Sequence, residues 1–274
     1  MKKYILSLCT FIFLCTVNAQ INNYKITYRH CFQYDTTLKL RDTLGFQAIL
    51  LGNSVESNYS FAKAFSNVTN EKTFDEILKD KQAGTFKVKT GYSSDSIGNN
   101  VYCNRTTDSI YVREKMINEY VVTEEMKPKI NWIITGEKMK IKEYSCIKAT
   151  TYFRGRHYKA WFTTDVAIVA APWKFYGLPG LLMLIEDDKM QVKIYVEKIE
   201  FPVKETVPRF VESGKKITLE KYFTFRNEEF IRNSIAIQTM LDNQDNMQAI
   251  INSGEARPVV KMKGAPYSIE IRLD

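Results

Sequence analysis

Residues 146–163 read CIKATTYFRGRHYKAWFT, and this stretch decides the fold class. Two runs rich in β-branched and aromatic residues, Cys146–Phe153 and Tyr158–Thr163, flank the glycine-containing turn Arg154-Gly155-Arg156. This pattern is typical of two antiparallel strands joined by a tight turn. We therefore predict a β-hairpin within an antiparallel sheet.

A second hairpin is predicted downstream of the first. Leu181–Ile185 and Met190–Phe201 flank the polar turn Asp187-Asp188-Lys189. The second of these strands alternates apolar and polar residues, whereas Leu181–Ile185 is apolar at every position. A strand of that kind is covered on both faces, so we expect it near the middle of the sheet.

Alternation of apolar and polar residues predicts strands on both sides of these hairpins. The predicted strands are residues 24–34, Gly45–Leu51, Val55–Phe61, Thr85–Lys89, Ile110–Arg113, Ile117–Thr123, Ile130–Thr135 and Tyr267–Leu273. Helical spacing predicts helices at Asn70–Gln82 and Leu219–Leu241, and residues 203–217 are interpreted as a solvated connection. We therefore predict one mature domain, residues 20–274, of α+β class and mostly β: a single antiparallel curved sheet or half-barrel with two helical insertions.

The N-terminus has the three parts of a secretory signal peptide. Two lysines supply a basic start, Tyr4–Val17 is an apolar run, and Val17-Asn18-Ala19 carries small residues where a signal peptidase cleaves. The run is shorter than the roughly 20 apolar residues of a membrane span. We predict cleavage after Ala19, export to the periplasm or the extracellular space, and no transmembrane segment in the mature chain.

Composition and charge exclude several classes of protein. Of 274 residues, 45% are hydrophobic and 26% are charged, a globular balance that excludes a disordered chain or a coiled coil. The formal net charge is +8, but lysines such as Lys138, Lys140 and Lys142 have acidic neighbours. We interpret them as a solvated basic surface, with attraction to anionic lipid headgroups as the alternative. Nucleic-acid binding is not expected, because no recognisable module is present.

Three cysteines remain in the mature chain: Cys31, Cys103 and Cys146. In an oxidising compartment we expect two of them to pair, and the sequence leaves the pair open. A bridge from Cys31 to Cys103 would contribute about 4 kcal/mol by restricting the unfolded chain. The alternative is three buried thiols that act as small apolar side chains.

Few residues point to catalysis or metal binding. The only histidines are His30 and His157, and no metalloprotease, hydrolase or phosphate-binding motif occurs. His30 lies on the aromatic face of its predicted strand, which is typical of a core histidine rather than of a metal ligand. The predicted hairpin places His157 opposite Phe153, several residues from Cys146, which disfavours a cysteine–histidine pair. No catalytic residue, metal or cofactor is therefore predicted.

The hexapeptide Gly177-Leu178-Pro179-Gly180-Leu181-Leu182 stands out from its surroundings. The residue before a proline favours extended geometry, and Pro179 and Gly180 suit the second and third positions of a type II turn, with positive φ at Gly180. The hexapeptide is therefore interpreted as a turn that enters the strand Leu181–Ile185. A ligand or partner site is the alternative.

These motifs resemble the GLPGLI family of exported proteins from Bacteroidetes-type Gram-negative bacteria. The resemblance covers roughly residues 130–200 and rests on Tyr144–Thr150, Gly155-Arg156, Ala160–Thr163 and Pro172–Tyr176, which lead into the hexapeptide. Two positions depart from the family pattern, with Leu182 in place of isoleucine and Ala171 in place of glycine. The resemblance implies export and a β-rich domain but no activity, and the expected layout is similar to that of half-barrel lipoprotein carriers.

The resulting hypothesis is an exported non-enzymatic binding protein of the cell envelope that holds an apolar ligand or a polypeptide on a curved sheet. Aromatic residues favour such sites, and the predicted ligand-binding residues are Trp161, Phe162, Trp173, Phe175 and Tyr176. The same residues could simply form the core. The alternative functions are an envelope assembly or accessory factor that acts through a protein partner, and a thiol-dependent enzyme that uses Cys146.

Overall fold

The computed structural model describes residues 22–32, 45–61, 95–116, 119–226 and 228. Its strands are β1 (Asn23–Phe32), β2 (Gly45–Gly52), β3 (Glu56–Phe61), β4 (Asn99–Asn104), β5 (Ser109–Lys115), β6 (Tyr120–Met126), β7 (Ile133–Ile141), β8 (Tyr144–Phe153), β9 (Arg156–Thr163), β10 (Leu181–Asp187), β11 (Val192–Val203) and β12 (Lys215–Lys216). A helix, α1, follows at residues 219–226. The elements predicted at Asn70–Gln82, Thr85–Lys89 and Tyr267–Leu273 lie outside the described residues.

All twelve strands belong to one sheet in the order β12-β6-β5-β4-β3-β2-β1-β11-β10-β9-β8-β7. The protein is therefore mostly β, as predicted. The expectation of a purely antiparallel sheet is wrong, because β12 pairs in parallel with β6 through Lys215 and Val121. One helix rather than two is found in the described part of the chain, and it starts at the predicted residue 219.

The sheet curls on itself, although its two end strands do not pair. β6 and β7 are ten strand spacings apart in the sheet order, which is about 48 Å in a flat sheet. However, only residues 127–132 join them, and such a link spans at most about 25 Å. The two ends also touch, since the Arg154 guanidinium before β9 lies 2.5 Å from the Glu125 carboxylate on β6.

The concave face of the curled sheet holds the core. Pairing register places one residue from each of five strands in a row: Ile26, Leu50, Tyr59, Val101 and Val112. All five are buried, and they belong to one hydrophobic cluster that also contains side chains of β8–β11. The curl thus lets distant strands share a single apolar interior, and burial of that surface is the main stabilising contribution to the fold.

The segment at residues 204–213 covers part of the convex face. Phe210 packs against Tyr102 and Tyr111 at ring-centroid distances of 6.3 and 5.5 Å. Asn58 donates a hydrogen bond to the Pro208 carbonyl oxygen. Most side chains of this segment are exposed, as expected for a solvated connection, but the segment also shields the outer side of β3–β5.

Both predicted hairpins are present, and the first has a shifted register. Arg154 and Gly155 have φ values of 50° and 84°, as a tight two-residue hairpin turn requires. Phe153 therefore pairs with Arg156, and His157 lies opposite Tyr152 instead of Phe153. The predicted turn was one residue too long, because the sequence pattern alone does not set the loop length.

Candidate functional site

The predicted ligand-binding residues do not form one surface. Phe162, Trp173 and Phe175 are 4% exposed or less and belong to the core cluster. Trp161 is only partly buried and points to the convex face, since its neighbours Ala160 and Phe162 face the interior and strand residues alternate. The curl therefore turns most of the five residues into the core, and their role in lining or edging a ligand site stays a prediction.

Residues 172–176, here called the inner strap, run through the interior between the two halves of the sheet. On one side Trp173 and Phe175 pack against the Phe153 ring at 6.0 and 6.3 Å. Phe175 also lies edge-on to Tyr158 at 4.9 Å. The next side chains, Lys174 and Tyr176, contact the opposite half of the sheet, as described below. The inner strap therefore holds both halves together.

Lys174 belongs to a buried ionic cluster. Its ammonium pairs with one oxygen of the Glu125 carboxylate, and the Arg154 guanidinium lies 2.5 Å from the other. The three side chains are at most 7% exposed. This cluster, here called the ionic latch, links β6, the β8–β9 turn and the inner strap.

Tyr176 contacts the neighbouring strands β3 and β4. Its hydroxyl faces the Ser57 hydroxyl and the Cys103 thiol, and burial raises the pKa of Tyr176 well above its ordinary value. Its carbonyl oxygen accepts a 2.9 Å hydrogen bond from the Trp132 indole. Pairing places Ser57, Cys103 and Glu125 in one row across β3–β6. Lys174 and Tyr176 therefore anchor the inner strap along a single line of the sheet.

The glycines of the hexapeptide have other roles than predicted. Positive φ occurs at Gly177, at 107°, and not at Gly180, so the predicted type II turn is wrong. A Cβ atom on Gly180 would lie 2.2 Å from the Thr163 carbonyl oxygen. The Ala170 amide also donates a hydrogen bond to the Gly180 carbonyl oxygen. Glycine is therefore required at position 180 because the backbone there lies close to β9. The sequence pattern does not reveal this contact.

We predict that Gly180→Ala lowers the free energy of unfolding by about 2–3 kcal/mol, because the added methyl group forces backbone movement at Thr163. Chemical denaturation measures the change. Pro179→Ala is the control, since Pro179 is exposed and should cost less than about 1 kcal/mol. Equal losses in the two variants would contradict the role assigned to Gly180.

The cysteines and histidines form no reactive pair in the described part of the chain. Cys31, Cys103 and Cys146 are all buried, and no disulfide joins any two of them in the structure, in contrast to the pair expected from the sequence. Burial raises the pKa of Cys146, which disfavours the thiolate. Pairing with Thr163 places Cys146 six strand positions from His157, which pairs with Tyr152. At about 3.4 Å per residue, a cysteine–histidine nucleophile cannot form here.

His30 lies in the core, as its position on the aromatic face predicted. Its ring is 5.1 Å from Phe46 and 5.5 Å from Phe61, and burial lowers its pKa to about 3. Within the described ranges, no group of three or more metal-ligating side chains comes together. No helix in these ranges is both long and apolar enough to cross a membrane.

Among the described residues, the β7 edge of the sheet is open. β7 has nine residues, and the first six are exposed. Ile133 and Ile134 are 67% and 50% exposed, and no described residue pairs with the outer side of this strand. The opposite edge, β12, has only two residues. The sequence pattern predicts this strand at Ile130–Thr135 and carries no sign of its position at the edge of the sheet.

Basic side chains flank the exposed isoleucines. Lys138 and Lys140 are exposed, and neither makes an ion pair with another described residue. The Lys148 ammonium lies 2.8 Å from the Glu137 carboxylate, and Lys142 donates a hydrogen bond to the Glu197 carbonyl oxygen. The β7 edge therefore combines apolar side chains with two available positive charges.

Two solved structures resemble this chain at low similarity. No family model and no curated protein matches the sequence. The structure of PNGF-II in space group P21 has a TM-score of 0.49 at 16% identity, covering 76% of this chain and 34% of that one. The C2 form has a TM-score of 0.46 at 17% identity, covering 73% and 32%. The chain thus spans about a third of their length, and similarity at this level does not identify a function.

Proposed function

We propose that this protein is an exported, non-enzymatic binding protein of the cell envelope that holds an extended polypeptide by strand addition to the β7 edge. The observation that carries this proposal is the nine-residue edge strand with Ile133 and Ile134 exposed. Edge strands bind extended polypeptides through main-chain hydrogen bonds, and pockets for alternate side chains add specificity.

A polypeptide fits this geometry better than an apolar small molecule. A ligand held by the predicted aromatic residues would have to displace Trp173 and Phe175, which are packed against Phe153 and Tyr158 in the core. The β7 edge needs no such rearrangement. A thiol-dependent reaction at Cys146 is disfavoured for the same reason, since that thiol is fully buried.

The convex face beside β7 offers further contacts for an added strand. Ile133 pairs with Thr150, and Tyr152, two residues further along β8, lies on the same face. Tyr152 is 41% exposed, and its ring lies 4.7 Å from the His157 ring. Proteins usually shorten or cover such edges to avoid unwanted pairing. A nine-residue open edge strand with two exposed isoleucines is therefore a reason to expect a partner.

The N-terminal sequence supports the location in this proposal. Residues 1–19 have the basic start, apolar run and small residues of a signal peptide. We therefore expect the binding protein to act in the periplasm or outside the cell. We expect the bound polypeptide to be part of another protein of the envelope. A protein that binds such a partner could also act as an assembly factor, which is the alternative function.

Hydrogen exchange with a model peptide tests the proposal. The probe is a peptide as long as β7 in which valine and glutamine alternate. Bound peptide should protect backbone amides within residues 133–141, and Ile134→Asn should weaken binding about tenfold, equivalent to about 1.4 kcal/mol. Val211→Asn is the control, since Val211 is also exposed, at 45%, but lies in the segment that covers β3–β5. Protection elsewhere, or equal weakening by both variants, would refute the proposal.

A further inference from the structure

We infer that the polypeptide bound at β7 carries carboxylates at alternate positions, opposite Lys138 and Lys140. This inference rests on the proposed function and names the chemistry of its partner. It follows from the register of β7, from the local distribution of charge, and from the geometry of strand pairing.

The register of β7 places both lysines on one face. The pairing is irregular between Ile134 and Lys138 and regular from Lys138 onwards. Lys138 and Lys140 are two residues apart, so their side chains project to the same side of the strand, with a spacing of about 6.8 Å along it. Both are exposed.

Nearby acidic groups do not neutralise these two lysines. On β8 they lie opposite Ile147 and Ser145, neither of which is acidic. The Glu137 carboxylate is held by Lys148 at 2.8 Å. Burial and the neighbouring Glu143 carboxylate raise the pKa of Tyr144. The Asp165 carboxylate accepts a 2.7 Å hydrogen bond from the Ser145 amide. None of the described acidic side chains forms an ion pair with Lys138 or Lys140, so their positive charge is available to a strand added at β7.

The positions of the two lysines predict a sequence pattern in the bound polypeptide. Residues opposite each other on one face have Cβ atoms about 5 Å apart, and opposite charges stabilise while like charges destabilise such pairs. Two carboxylates separated by one residue would lie opposite Lys138 and Lys140. The residue between them would project beside Met139, which is partly buried, so it should be apolar. The favoured segment therefore alternates acidic and apolar residues.

The same lysines discourage unselective pairing. Charged side chains and irregular pairing are common ways to keep an edge strand from joining any other strand. A basic segment would meet Lys138 and Lys140 with like charge, and a neutral segment would gain nothing from them. The edge is thus selective for an acidic partner rather than closed to partners in general.

Two peptides that differ only in charge test the inference. One alternates valine with glutamate and the other valine with glutamine, and both are titrated against the full protein by fluorescence anisotropy. At low salt the glutamate peptide should bind about five- to tenfold more tightly, as two cross-strand ion pairs allow. At about 0.5 M salt the difference should fall below about twofold, because salt screens exposed charges.

A matched pair of double variants assigns the preference to β7. Lys138→Gln with Lys140→Gln should abolish the preference for glutamate. Lys215→Gln with Lys216→Gln is the control on the other edge strand, where both lysines are also exposed, and it should keep the preference.

Each outcome separates this inference from the proposed function. Equal affinity for the two peptides, with protection of residues 133–141, would overturn the acidic preference and leave strand addition intact. Absence of binding by either peptide, or full amide protection of residues 133–141 in the free protein, would refute strand addition itself. Binding to phosphatidylglycerol vesicles that requires Lys138 and Lys140, without peptide preference, would overturn the inference in favour of a lipid surface.

Discussion

Trp173→Ala is expected to lower the free energy of unfolding by about 3–5 kcal/mol, the usual cost of removing a large aromatic side chain from a core. Trp173 is 4% exposed and packs against Phe153 and Phe175 at 6.0 and 4.8 Å. Alanine would leave a cavity on the side of the inner strap that packs against Phe153 of β8. Thermal and chemical denaturation would measure the loss.

Trp161→Ala is the control for this prediction. Trp161 is the same residue type and lies on the convex face, where Lys148 approaches its ring at 6.0 Å. Because the side chain is only partly buried there, the expected loss is less than half that of Trp173→Ala. If Trp173→Ala instead left stability unchanged and abolished ligand binding, Trp173 would be a ligand-binding residue and its assignment to the core would be wrong.

Glu125→Ala is expected to cost about 3–5 kcal/mol, because it leaves the buried Arg154 and Lys174 cations without their carboxylate. The ionic latch joins β6 to the β8–β9 turn across the curled sheet. Its loss should therefore also increase hydrogen exchange in both of these elements. Glu125→Gln should lose most of the same stability, since it preserves size but removes the charge.

Glu124→Ala provides a matched control for the ionic latch. Glu124 is the adjacent residue on β6, and its carboxylate is 45% exposed and 3.7 Å from Lys216. Exposed ion pairs contribute about 1 kcal/mol or less, so this variant should remain close to the parent protein. Equal losses from Glu124→Ala and Glu125→Ala would show that burial of the ionic latch has no special effect.

Most of the described strands were predictable, and β4 was not. β1–β3, β5 and β8–β11 were predicted to within a few residues, because their apolar side chains recur with period two or, in β10, form a continuous run. β4 was missed because its sequence, NNVYCN, looks polar. Its Asn100 is buried on the convex side and donates a 2.7 Å hydrogen bond to Asn58. Burial of these polar side chains depends on the covering segment at residues 204–213, which the pattern of β4 does not reveal.

The candidate site was less predictable than the strands. The hexapeptide was recognised as a backbone feature, but its glycines were assigned the wrong roles, since the clash at Gly180 arises from Thr163 on another strand. The ionic latch could not be predicted from the sequence, because its members are far apart along the chain: Glu125, Arg154 and Lys174. The β7 edge was hidden for a related reason, as a strand's position in the sheet depends on all its neighbours.

The sequence by itself determined the mostly β class, the two central hairpins and the alternation of faces, because these depend on residues that are neighbours along the chain. The tertiary structure alone decided which face became the core, which edge remained open and which charges were paired. These features depend on how far the sheet curls. The curl brings β6 to the β8–β9 turn, buries Trp173 and Phe175, and leaves β7 exposed at the end of the sheet.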